Sequence, residues 1–101
     1  MAHPVAITIA QQIGNMAFRM IGGRDFMSTE TSLTFKIGRN AKSVSHLRVT
    51  LEPSDTYKVE AIRVRKIQGT PTSKVVEMRD DVYVDALHAT IESLTGMYTR
   101  L

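Results

Sequence analysis

Between residues 33 and 66, apolar and polar side chains alternate through three successive runs. This is the period-two pattern of strands that bury one face. Leu33, Phe35 and Ile37 point one way in the first run. Leu47, Val49 and Leu51 do so in the second, and Tyr57 and Val59 in the third. The pattern predicts strands over residues 33–37, 47–51 and 56–66. They are separated by a loop at 38–43 and by the turn Glu52-Pro53-Ser54-Asp55, whose proline presets φ. Parity changes near Ala61 and Ile62, where Tyr57 and Val59 give way to Ile62 and Val64. A β-bulge in that strand is expected to keep the apolar face continuous.

The flanks carry other periods. Thr8-Ile9-Ala10-Gln11 fits a capping box with Thr8 as N-cap, so a short helix is expected over residues 9–13, stopped by Gly14 and Asn15. Residues 16–21 alternate as a strand, Gly22-Gly23 reads as a tight turn, and a short return strand follows around Phe26. A continuous helix is the rival reading, because Ile9, Ile13, Met16 and Met20 also suit a period of 3.6. Residues 68–73 read as a loop and 74–78 as a short edge strand. Asp80 and Asp81 then favour the start of a C-terminal helix, with Tyr83, Leu87, Ile91 and Leu94 on one stripe and Gly96 as its stop. The fold expected is α+β: a single two-layer domain, residues 1–101, with an antiparallel sheet of about four strands. The C-terminal helix and the short N-terminal helix pack on one face. Leu33, Phe35, Leu47, Val49, Leu51, Tyr57, Val59, Leu87, Ile91 and Leu94 are its expected core.

Composition narrows the chemistry. A chain of 101 residues with 43% hydrophobic content suits one self-sufficient domain. No apolar run approaches the ~18 residues of a membrane helix, and the first residues lack the basic region of a signal peptide. The absence of cysteine excludes disulfides, thiolate metal sites and a cysteine nucleophile. Thirteen Lys and Arg against ten Asp and Glu give a mild net charge of +3, which permits a nucleic-acid partner without demanding one.

Asp81, Asp85, His88 and Glu92 fall on one face of the predicted C-terminal helix. A carboxylate–imidazole cluster there could bind a divalent metal or transfer protons. The plainer reading is a solvated polar face, and it is preferred. Gly22-Gly23 lacks the spacing and the lysine of a phosphate loop. The basic side of the sheet carries more weight. By the predicted parities it gathers Arg19, Lys36, Arg48, Lys58, Arg63 and Arg65, with Arg39 and Lys42 in the adjoining loop and Glu60 as an acidic intruder. Such a row can track a phosphate backbone, although Phe18, Phe35 and Tyr57 all point inward and leave no stacking aromatics on that side.

Several short stretches resemble a group of small bacteriophage and prophage proteins with no assigned activity. They are Thr8-Ile9, Gln12-Ile13-Gly14, Phe18, Phe26, residues 32–37 with Arg39-Asn40, and Arg48-Val49-Thr50-Leu51. Further on come Asp55-Thr56-Tyr57-Lys58-Val59, residues 62–66, Asp81-Val82-Tyr83 and residues 95–99. The resemblance spans nearly the whole chain and implies a phage or prophage origin and the host cytoplasm. Charge patterning adds the functional expectation: a non-enzymatic accessory protein that binds DNA or RNA electrostatically through Lys36, Arg39, Arg48, Lys58, Arg63 and Arg65. The alternative is an interaction module that inhibits or adapts a host protein. No cofactor, metal or membrane is expected, and a homodimer is, because residues 16–21 and 74–78 read as open sheet edges.

Overall fold

The structure, a computed structural model, describes residues 3–99. The chain is α+β. Two helices, α1 (Pro4–Ile13) and α2 (Asn15–Ile21), precede the strands β1 (Arg24–Ser28), β2 (Ser32–Lys36), β3 (His46–Leu51), β4 (Tyr57–Ile67) and β5 (Thr70–Val82). A 3₁₀ turn over Val84–Ala86 leads into α3 (Leu87–Thr95). The strands form one antiparallel five-stranded sheet in sequence order, so β1 and β5 are its edges.

The apolar positions of β2, β3 and β4 share one face. Phe35, Leu47, Val49, Val59 and Ala61 are fully buried there beneath Ile9, Ile13 and Ile21 of the N-terminal helices and Leu87, Ile91 and Leu94 of α3. The pairing explains why the pattern was legible: Leu33 lies opposite Val49, Phe35 opposite Leu47 and Val49 opposite Val59, so three strands bury the same parity. Leu51, at the sheet margin, is only partly buried.

Three expectations at the flanks are corrected. First, α1 starts at Pro4 rather than near Ile9, because proline is preorganised for the first helical turn. Thr8 is therefore inside the helix, and its hydroxyl donates to the Pro4 carbonyl instead of capping. Second, residues 16–21 are helical, not a strand. The helical register buries Ala17 and Ile21 and leaves Met16 exposed, which gives this stretch a closer fit to the core than alternation would. Gly14 interrupts the two helices with φ +87 and ψ 153, a conformation reserved almost wholly for glycine. Gly22 then closes α2 as its left-handed cap, so the Gly22-Gly23 pair joins a helix to β1.

Third, β5 is far longer than the short strand expected at 74–78. Gln68 and Gly69 both have positive φ, the signature of a two-residue hairpin turn, and they fold β5 directly back on β4. Asp80 and Asp81 end this strand instead of opening a helix, and Tyr83 is 65% exposed rather than in the core. The bulges also lie in β5. Ala61 faces Glu77 while Ile62 faces Val75, so Val76 is the extra residue, and a second irregularity takes up Asp80 and Asp81. The register of β4 against β3 runs without a break from Tyr57 to Ile62.

Candidate nucleic-acid interface

The unbroken register of β4 decides where its charges go. Lys36, His46, Arg48, Lys58 and Glu60 share the side of the sheet opposite the core, since Lys36 faces His46, Arg48 faces Glu60 and Lys58 faces Thr50. Arg63 and Arg65 have the parity of Val59 and Ala61, so they leave the strand on the other side. The basic face expected from sequence is thus divided. Arg19 lies on α2, away from the sheet altogether.

What remains of the outer face sets Lys36, Arg48 and Lys58 against Glu60. The guanidinium of Arg48 donates to both carboxylate oxygens of Glu60, Nε to Oε1 at 2.8 Å and Nη2 to Oε2 at 3.0 Å. This bidentate hydrogen bonding holds the Glu60 carboxyl below its usual range and raises Arg48. Burial pushes the imidazole of His46 down, and the neighbouring Lys36 and Arg24 add to that against the pull of Asp25. Arg48 is therefore committed to an internal partner, and Lys36 and Lys58 flank a neutralised pair.

A denser basic cluster forms beyond the end of β3. There β4 and β5 continue alone as a two-stranded ribbon, with Arg63 opposite Lys74, Arg65 opposite Thr72 and Lys66 opposite Pro71. Apart from the partly covered Arg63, residues 63–74 are exposed. The ribbon contains Arg63, Arg65, Lys66 and Lys74 and no Asp or Glu. No aromatic residue lies on it either.

The loop between β2 and β3 packs against the base of this ribbon. Arg63 donates from Nε to the Ser43 carbonyl and from Nη2 to the Lys42 carbonyl, each at 3.1 Å. The side chain of Asn40 organises the loop from within. Its amide donates to the carbonyls of Gly38 and Val44, and its oxygen accepts from the amides of Lys42 and Val44. Arg39 and Lys42 are exposed on this loop. Of the expected site residues, Arg63 and Arg65 lie on the ribbon with Lys66 and Lys74, and Arg39 lies with Lys42 in the loop that Arg63 latches to it, whereas Lys36, Arg48 and Lys58 stay on the outer face. Lys66 and Lys74 were missed because residues 68–73 read as a loop. The Gln68-Gly69 pair and the acid-free run were the available signals.

The polar residues near α3 do structural work. Thr99 is buried and donates its backbone N–H and its hydroxyl to Glu92 Oε2, each at 3.0 Å. The same hydroxyl lies 3.2 Å from His88 Nδ1, and His88 Nε2 lies 3.3 Å from the Gln12 carbonyl. This network ties the chain after Gly96 to α3 and α1. Asp81 is on β5 and Asp85 in the 3₁₀ turn, so the helical face expected to unite them with His88 and Glu92 does not exist. Among the described residues, no group of three or more His, Asp or Glu is placed to hold a metal ion. No helix among them is long and apolar enough to cross a membrane. The chain matches no family model, no curated protein and no solved structure.

Proposed function

We propose that the protein binds double-stranded nucleic acid through the ribbon formed by residues 63–74 and the adjoining loop at 38–43. The observation that carries this reading is the ribbon itself: a protruding antiparallel pair with four cations and no anion, joined at its base by two more cations. A two-stranded ribbon has dimensions that the major groove of B-form DNA admits, and basic side chains along it can meet the flanking phosphates. The lack of aromatic residues on the ribbon favours a duplex over a single strand, whose bases would seek stacking platforms. Binding of this kind is electrostatic and tolerant of sequence.

The experiment compares two charge-neutralised proteins on a short DNA duplex by fluorescence anisotropy at several salt concentrations. Replacing Arg65, Lys66 and Lys74 with Gln should weaken binding strongly and reduce the log–log salt slope by up to about one per lost phosphate contact. Replacing Lys36, Lys58 and Arg19, which lie off the ribbon, removes the same charge and should change affinity much less. Equal losses from both would show that only net charge matters. No binding by the native chain at about 50 mM salt would end the proposal.

A further inference from the structure

Away from the ribbon, α1, α2 and β1 border an open groove. One half, about 490 Å³, lies over Ile7, Ala10, Phe18, Phe26 and Leu33. The other half, about 500 Å³, continues from the shared Asn15, Phe18 and Phe26 to Arg19 and Arg24. The floor is aromatic: Phe18 meets Phe26 and Phe35 edge to face, with ring centroids 5.1 and 5.2 Å apart. Gly23 permits this arrangement, because a Cβ at that position would come within 2.8 Å of Phe18 Cδ1. Ile7 (44%) and Phe26 (50%) are large apolar side chains left half exposed along the groove.

Charge separates the two halves. Neither is lined by Asp or Glu, and Asp25 of the β1 irregularity lines neither. The ion pairs among the described residues join Arg48 to Glu60 and Arg79 to Glu77, so Arg19 and Arg24 have no carboxylate partner there. Arg24 donates from Nη1 to the Gly22 carbonyl at 3.1 Å, which anchors its guanidinium at the basic end. The groove runs beside β1, an edge strand that pairs with β2 alone among the described residues, so its far side is open to a further strand.

We propose that this groove binds an extended acidic segment of a partner protein. An apolar anchor side chain of the segment sits over Phe18, Phe26 and Leu33. A carboxylate about three or four residues away along an extended chain meets Arg19 and Arg24. The segment's backbone lies along the free edge of β1, the mode of recognition in which a peptide extends an existing sheet. β1 is irregular between Arg24 and Met27, with Asp25 at φ +55, so the segment pairs along the regular end of the strand at Met27 and Ser28. The two arginines select an acidic segment over a merely apolar one, and they disfavour a second copy of this chain, which would bring the same rim charges to the contact.

The test is selection of a random heptapeptide display library on the immobilised full chain. The enriched consensus peptide is then synthesised and titrated by anisotropy. The expected consensus pairs Phe, Leu or Met with Asp or Glu. Affinity should fall at least tenfold for the double variant Arg19→Glu, Arg24→Glu and, separately, for Ile7→Lys, both exposed changes whose folding circular dichroism verifies. Backbone NMR shifts on peptide addition should cluster in α1, α2 and β1. A failure to enrich any consensus would overturn the proposal, as would a consensus without acidic residues or shifts centred elsewhere. Concentration-dependent dimerisation abolished by Ile7→Lys would assign the groove to a second copy and equally overturn it. The ribbon variants Arg65→Gln, Lys66→Gln and Lys74→Gln should bind the peptide as the native chain does, which keeps this result separate from duplex binding.

Discussion

Arg48 and Glu60 stand opposite each other on neighbouring strands, twelve positions apart in the chain, and they decide the character of the outer sheet face. The side chain of Arg48 is 40% exposed and that of Glu60 only 12%, so solvent screens the pair from one side. Glu60→Gln should therefore lower stability at neutral pH by about 1 kcal/mol or less. The pH dependence has a definite sign. The hydrogen bonds from Arg48 lower the folded-state pKa of Glu60, so its stabilising contribution is complete above the unfolded value of about 4.3. It is lost as the pH falls through the lower folded value. Urea midpoints between pH 6 and pH 3 should show the native chain and Glu60→Gln converging in acid. Curves that stay parallel would show that the pair does not contribute.

At the scale of elements, the N-terminal helices depend on Gly14. Its φ of +87 with ψ of 153 lies outside the region open to residues with a Cβ. A Cβ there would meet no atom within 4 Å, so the cost of a substitution is conformational rather than steric. Gly14→Ala should destabilise the protein by about 1–3 kcal/mol in denaturant titration. An unchanged midpoint would mean that α1 and α2 fuse into one helix without loss of their packing. The same junction explains the corrected secondary structure at 16–21. Met16, Phe18 and Met20 satisfy a period of two, while Ile13, Ala17 and Ile21 satisfy a helical one, and only docking against the sheet buries the second set.

In the whole molecule, the core and the ribbon are separable. The fully buried side chains come from α1, α2, β2, β3, α3, the first half of β4 and Thr99 after α3, and residues 64–75 are exposed. Replacing residues 64–73 with a two-residue Asn-Gly turn should preserve the cooperative unfolding of the core and abolish duplex binding. Retention of full affinity would place the nucleic-acid contacts elsewhere. The sequence alone determined Leu33 and Phe35 of β2, Leu47 and Val49 of β3, Tyr57 and Val59 at the start of β4 and Leu87, Ile91 and Leu94 of α3 as inward, because burial on one face leaves a periodic record and Gly96 punctuates the helix. It turned Ile62 and Val64 inward, however, where the structure buries Ala61. It could not decide the length of β5. Residues 70–74 bury nothing and carry no such record, so only pairing with β4 reveals a strand. Nor could it assign Arg63 and Arg65 to a side, since the extra residue lies in β5 while the register between β3 and β4 stays continuous. The neutralisation of Arg48, the latch from Arg63 to the 38–43 loop and the groove beside β1 each join residues distant in the chain. Tertiary packing decided them, because contacts across strands are set by register and docking rather than by local spacing.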